Sequence, residues 1–228
     1  AVDLLEDLNA PAYKIASFET VDLKLIDYVA RTGKPMIIST GMASEDEIRE
    51  AVDTARGGGC SELALLTCVS SYPAMPSDYN LSRIVDMRER FQTVVGLSDH
   101  TLDNTCAIAS ITLGGCIIEK HFTLDRKGGG ADDSFSLEPN DMKNLCESSL
   151  AAWQSIGSPE YGTKSTEKNN AQYRRSLYFV KSLKKGDVIK IDDIRSVRPG
   201  FGLPTKMFDS VVGSEVNCNV SYGDPVKL

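Results

Sequence analysis

His100 and His121 are the only histidines in the chain. Each closes the same kind of phrase, Thr93-Val-Val-Gly-Leu-Ser-Asp-His100 and Cys116-Ile-Ile-Glu-Lys-His121-Phe. The imidazoles lie 21 residues apart (121 − 100) with a helix-like stretch between them, the spacing of one βα unit in a parallel sheet. Side chains at the carboxyl ends of adjacent parallel strands lie close together, so two neutral imidazoles there can share one divalent ion and leave it positions for Lewis-acid work on a carbonyl oxygen. Glu119 reads as a third ligand, as a group that orients the ligands, or as a base acting on water. A lone buried histidine is ordinarily a satisfied core residue. Two in register, with Asp99 beside one and Glu119 near the other, argue for chemistry.

The elements that must position these groups follow from hydrophobic periodicity. Strands are predicted at 13–16, 36–39, 63–67, 93–97 and 116–119, with helices at about 21–32, 44–56, 80–91, 103–113 and 139–156 between and after them. Ser44 and Glu47 form an S-x-x-E capping box, and Asp103 or its neighbours can cap the fourth helix. Strands alternating with helices mean an α/β fold with a parallel sheet and right-handed crossovers. Five βα units do not close an eight-stranded barrel, and the pattern opens almost directly on a strand, so the reading is a partial TIM (β/α)8 barrel over 1–156. A polar, aperiodic linker is expected at 157–172. A small β-rich module follows over 173–228, with strands at 176–180 and 188–191, a turn at 184–187 and one helical turn near 192–194.

With the strands so placed, polar residues gather at every carboxyl end: Lys14 and Ser17, Ser39 and Thr40 before Gly41, Thr67 to Ser71, Ser98-Asp99-His100, and Glu119-Lys120-His121. That edge is the catalytic face of a parallel barrel. Ser17, Ser39, Ser70 and Ser98, with backbone N–H groups near Gly41, can donate to a phosphate while Lys14 supplies charge. The plainer alternative is that these hydroxyls only end strands and cap helices. In the loop Lys127-Gly-Gly-Gly-Ala-Asp-Asp-Ser-Phe-Ser136, glycines permit close approach to a ligand and Asp132 and Asp133 offer acceptors, though an ordinary solvated loop has the same composition. Arg198-Pro-Gly200 is either a turn with an exposed arginine or an arginine held rigidly for an anion.

Composition limits the partners. A net charge of −7 provides no basic field for nucleic acid. No apolar run is long enough to span a membrane, and the acidic opening Ala-Val-Asp-Leu-Leu-Glu-Asp-Leu does not read as a signal peptide. Six cysteines without a C-x-x-C pair fit a reduced, cytoplasmic setting.

Taken together, Lys14-Ile-Ala-Ser17, Ile38-Ser-Thr-Gly-Met42, Cys68-Val-Ser-Ser-Tyr-Pro73, Gly96-Leu-Ser-Asp-His100, Glu119-Lys-His-Phe-Thr-Leu124, Arg174-Arg-Ser-Leu177 and Arg198-Pro-Gly200 resemble the sialic acid synthase (NeuB-like) family across nearly the whole chain. The loop around Gly129 to Ser136 is most similar to pseudaminic acid synthases. The resemblance implies a TIM barrel followed by a SAF, or antifreeze-like, domain, in a homodimer whose small domains reach over the partner's active site. It implies a synthase that condenses phosphoenolpyruvate (PEP) with an N-acetylated amino sugar, a 2,4-diacetamido-2,4,6-trideoxy hexose for the pseudaminic type, and releases phosphate by C–O cleavage. N-acetylneuraminate and legionaminate synthases are the alternative. By position, His100 and His121 resemble the ligands of a divalent metal, Mn2+ ahead of Mg2+ or Co2+. Lys14, Ser17, Ser39 and Ser98 resemble PEP contacts, as does Ser70, which stands where the family carries asparagine. Asp132 resembles a sugar contact, Glu119 the acid or base, and Arg198 the arginine contributed across the dimer. Family members carry roughly another third of their length before the segment matching Ala1. An open five-stranded edge is therefore expected to self-associate or to be unstable alone. A non-catalytic binding or assembly module of the same fold is the reading from another class. An ice-binding role for the small module is disfavoured by its many charges, Lys181, Lys184, Lys185 and Asp187 among them.

Overall fold

The computed structural model describes residues 1–227, in two units, Ala1–Ser158 and Pro159–Leu228. The first unit runs α1 (Val2–Asp7), β1 (Tyr13–Ile15), α2 (Leu23–Ala30), β2 (Met36–Ser39), α3 (Glu45–Gly57), β3 (Leu63–Cys68), α4 (Arg83–Phe91), β4 (Val94–Asp99), α5 (Thr105–Thr112), β5 (Ile117–Lys120) and α6 (Pro139–Ile156). The strands form one parallel sheet in the order β1-β2-β3-β4-β5, a partial barrel of five units. A short helix, α1, precedes the first strand, which begins at Tyr13 as expected.

Strand alternation divides the side chains. Tyr13, Ile15, Met36, Ile38, Leu63, Leu65 and Val95 pack against the helices, so Lys14, Ile37, Ser39, Leu66, Gly96, Ser98, Ile117 and Glu119 take the opposite, inner face. The helices answer with their own period: α3 buries Ile48, Ala51, Val52 and Ala55. Ile48 and Val52 are 2% and 1% exposed, and each contributes roughly 1.5–3 kcal/mol by leaving water. The expected capping box starts α3, with the Ser44 hydroxyl accepting from Glu47 N and the Glu47 carboxylate accepting from Ser44 N. In α5 the capping residue is Asn104, whose side chain makes no cap bond, and the Asp103 carboxylate instead accepts from Thr105 N at 2.8 Å.

Gly96 sets how closely β4 meets its neighbours. A Cβ there would run into the Ile117 carbonyl and stand 2.8 Å from Leu66 Cδ2. Gly96→Ala is therefore expected to destabilise the first unit by roughly 1–3 kcal/mol or more. Gly57→Ala, whose Cβ meets nothing within 4 Å, serves as the neutral control, and urea midpoints of the two variants check the contrast.

In the second unit β6 (Ser176–Phe179) pairs antiparallel with β7 (Ile194–Val197), and α7 (Phe208–Val211) follows. Leu177, Phe179, Ile189, Ile194, Val211, Val216 and Val226 form its core. Three local expectations are corrected here. Residues 165–173, expected as aperiodic linker, form 3-10 turns, with Lys164 N donating to the Glu167 carboxylate at their start. Residues 188–191 make no strand, only a bridge from Val188 to Glu215. The turn expected as helical at 192–194 gives way to β7 at Ile194 because Asp193, buried, folds back to accept from Lys181 Nζ and Lys190 N. Those bonds hold its carboxyl below the usual carboxylate range. Among the described residues no helix is long and apolar enough to cross a membrane.

Candidate functional site

The carboxyl ends of β1 to β5 carry the site. The β4–β5 ladder runs Gly96↔Ile117 to Asp99↔Lys120, an offset of 21 (117 − 96). That offset equals the sequence spacing of the histidines, so His100 and His121 emerge side by side, their ring centroids 5.2 Å apart and 63° from parallel. Ser98 and Glu119 are register partners one pleat below, and the Ser98 hydroxyl donates to Glu119 Oε1 at 2.7 Å. Lys14 Nζ lies 3.5 Å from the same oxygen, although β1 and β5 are the two edges of the sheet. Only a sheet curled about its inner face brings those edges together. Ser98, His100, Glu119, Lys120 and His121 line a recess of about 290 Å3.

Each imidazole is oriented through Nδ1. His100 Nδ1 is 2.7 Å from the Val69 carbonyl, which accepts from it, and His121 Nδ1 is 3.4 Å from Asp132 Oδ2. Among the described residues neither Nε2 has a protein partner. Burial pushes the His100 imidazole below its usual pKa, opposed by the Val69 hydrogen bond and reinforced by His121, which favours the neutral ring with a free Nε2 lone pair. Two imidazoles, each with an acceptor at Nδ1, suit a first-row divalent cation. No group of three or more His, Cys, Asp or Glu side chains converges among the described residues. The donor set is thus two imidazoles, which leaves the remaining positions of such an ion to water or substrate.

The hydroxyls separate into two kinds. Thr40 donates to the Leu66 carbonyl and Ser98 to Glu119, so these are spent within the protein. Ser39 Oγ and Ser70 Oγ are buried with no hydrogen-bond partner. Ser17 Oγ accepts from Gly41 N at 3.1 Å. A Cβ on Gly41 would stand 2.6 Å from Ser70 Oγ and 2.7 Å from Ser17 Oγ, so absence of a side chain keeps a small space open between the two hydroxyls. The next residue, Met42, holds φ at 65°, a left-handed conformation costly for a side-chain-bearing residue.

In the glycine loop the two aspartates part ways. Asp133 accepts from Thr123 Oγ1 and Gly130 N, both at 2.7 Å, and these bonds lower its pKa. Cβ atoms on Gly128 or Gly130 would each come within 2.8 Å of its Oδ2. Asp133 therefore closes the loop on itself and is not free for a substrate, and these two glycines make room for Asp133 rather than for a ligand. Asp132 is left facing His121. Arg198 lies exposed in the second unit, in the turn after β7.

Sequence reasoning missed the aromatic wall. The Tyr72 ring lies 4.3 Å from that of His100, and Phe135 packs 5.4 Å from Tyr72 and 5.1 Å from His121. Tyr79, fully buried, accepts from His100 N at 2.6 Å and donates to the Ser98 carbonyl. The Tyr72-Pro73 phrase was a signal for the first, but nothing local marks Tyr79 or Phe135.

Comparison with known proteins agrees with this arrangement. Residues 1–161 match the model of the NeuB family. The chain belongs to that family. Residues 174–228 match the SAF domain. This NeuB-family chain is 39% identical over 228 residues to the pseudaminic acid synthase of Helicobacter pylori, covering 99% of the chain and 67% of that protein. It is 37% identical over 228 residues to the N,N'-diacetyllegionaminic acid synthase of Legionella pneumophila, covering 98% and 64%. The crystal structure of the spore coat polysaccharide biosynthesis protein SpsE from Bacillus subtilis superposes with a TM-score of 0.65 at 33% identity, covering 99% of this chain and 68% of that one. The chain spans about two thirds of the length of the curated relatives it matches.

Proposed function

We propose that this NeuB-family chain forms the larger part of a nonulosonic acid synthase of the pseudaminic type, joining PEP to a 2,4-diacetamido-2,4,6-trideoxy hexose with release of phosphate. The observation that carries the reading is the pair of buried, partnerless hydroxyls, Ser39 and Ser70, on the same sheet edge as two adjacent imidazoles. Buried polar groups are rarely left unpaired unless a ligand completes them. The names of the relatives support the sugar class, pseudaminic acid in Helicobacter pylori and diacetyllegionaminic acid in Legionella pneumophila.

In this reading Ser17, Ser39 and Ser70 hydrogen-bond the anionic oxygens of PEP and Lys14 neutralises them, while Ser98, expected as a fourth contact, keeps its hydroxyl on Glu119. A divalent cation, Mn2+ in our assignment, held by His100 and His121 supplies Lewis acidity toward the aldehyde of the open-chain sugar. Carbon 3 of PEP bonds to the aldehyde carbon, water adds to carbon 2, and the C–O bond to phosphate breaks. Glu119, fixed by Ser98 and Lys14, takes or returns the proton of that water. Tyr72 and Phe135 shield the imidazoles from bulk solvent. Asp132 orients His121 and presents an acceptor to the sugar. We assign Arg198 to the active site of a second copy in a homodimer, in keeping with its exposure. The cysteines, all unpaired in the structure, suit the reducing cytoplasm we propose as its place of work.

Phosphate release, measured with Mn2+, PEP and a panel of N-acetylated hexoses, tests the reading. Release dependent on one sugar supports it. Silence across the panel together with no calorimetric Mn2+ binding puts the non-catalytic module ahead. Gly41→Ala separates the two halves of the site. Its methyl group would crowd the Ser17 and Ser70 hydroxyls, so PEP affinity is expected to fall about tenfold or more, with Mn2+ affinity unchanged by calorimetry.

A further inference from the structure

Directly behind the two imidazoles lies an ion pair that the reaction itself does not use. Asp99 and Lys120 are the last register partners of the β4–β5 ladder, each one residue before a histidine. Their side chains point away from the inner face and are 0% and 1% exposed. Lys120 Nζ spends its three hydrogens on Asp99 Oδ2 at 3.0 Å, the Thr101 carbonyl at 2.8 Å and the Asp103 carbonyl at 2.7 Å. Asp99 Oδ1 accepts from Thr101 N at 2.8 Å. One ammonium group thus ties the end of β5 to the turn that follows His100.

Burying two charges seldom pays in stability, since desolvation offsets most of the attraction and an apolar pair of similar volume often does as well. Such a pair is better explained by the geometry it enforces. Beyond Asp99 and Lys120 the ladder stops, so no main-chain hydrogen bond sets the span between His100 and His121. The ion pair is the last cross-strand link before the rings. We propose that Asp99 and Lys120 are positioning residues that fix the separation and orientation of the two imidazoles, and thereby the affinity of that donor pair for a divalent cation. The second clause rests on the metal reading given above, whereas the first does not.

The chain has only two histidines, so labelling histidine with 15N makes each ring individually visible by NMR without any metal. The test variant is the double substitution Asp99→Asn with Lys120→Met, which removes both charges, leaves no uncompensated ion and roughly conserves volume. In the parent, contacts between the rings appear as a nuclear Overhauser effect. In the folded double variant we expect that effect to be lost, the ring shifts to move and Mn2+ affinity to fall about 10–100-fold, the range for groups that orient metal-binding histidines. Should the double variant fail to fold, Asp99→Asn alone keeps the size and the Thr101 contact, and it is expected to change the same observables in the same direction to a smaller extent. Ring contacts and shifts unchanged in a folded variant would overturn the proposal. A parent that binds no Mn2+ while the variant loses its ring contacts supports the positioning role and overturns the metal clause with the reading it rests on.

Discussion

His121→Ala is expected to weaken Mn2+ binding by more than about 100-fold, beyond what loss of an orienting partner costs, and to bring phosphate release down to background. The side chain is 32% exposed and packs against Asp132 and the rings of Tyr72, Phe135 and His100. Removing it empties little of the core, so stability should change by no more than about 1 kcal/mol. His100→Ala is the less clean experiment, because that ring is 6% exposed and bonded to Val69, and its loss leaves a cavity under Tyr72. Calorimetric titration with Mn2+ beside a thermal melt checks both halves of the expectation. An unchanged Mn2+ affinity in a folded His121→Ala protein would mean that this ring is not a ligand.

Glu119→Gln should produce a different signature. The amide keeps the size of the carboxylate and can still accept from Ser98, so PEP affinity is expected to change only a few-fold, tempered by the loss of the Lys14 ion pair. It cannot take a proton, and a positioned acid or base contributes roughly 10²- to 10⁴-fold in rate, equivalent to about 3–5 kcal/mol of barrier. Phosphate release at saturating PEP and sugar should fall by that factor with Mn2+ affinity intact. A loss of less than about tenfold would reduce Glu119 to an orienting role. Loss of Mn2+ binding in the same variant would instead make it a ligand, the remaining possibility that its place beside His121 had left open.

The architecture was legible because its signals are local. The apolar runs at 36–39 and 63–67 read as strands, and β2 and β3 form there, β3 running one residue further. The Ser44–Glu47 box marks the start of α3 to the residue because two reciprocal bonds require just that spacing. The histidine spacing was legible for a deeper reason. In a parallel ladder the sequence offset between neighbours is constant, so 21 residues between His100 and His121 is the same number as between Gly96 and Ile117.

Errors fell where a residue's partner comes from elsewhere in the fold. Asp132 and Asp133 are adjacent and chemically identical, yet one faces His121 and the other is consumed by Thr123 and Gly130. Composition could not separate them. The strand expected at 188–191 fails because its would-be ladder has a single bridging partner, Glu215. Tyr79 went unnoticed because a buried tyrosine looks like any core aromatic until its hydroxyl is found between His100 N and the Ser98 carbonyl.

By itself the sequence determined a parallel sheet of five βα units, a polar edge at its carboxyl ends and two histidines in register on that edge. All of these follow from periodicity and spacing along one chain. Only the tertiary structure decided which hydroxyls are already paired and which are buried without a partner, which aspartate faces an imidazole, and that Lys14 on β1 reaches Glu119 on β5. Those outcomes depend on sheet curvature and on hydrogen bonds between residues distant in sequence, and no local pattern encodes which of several available acceptors a donor will meet.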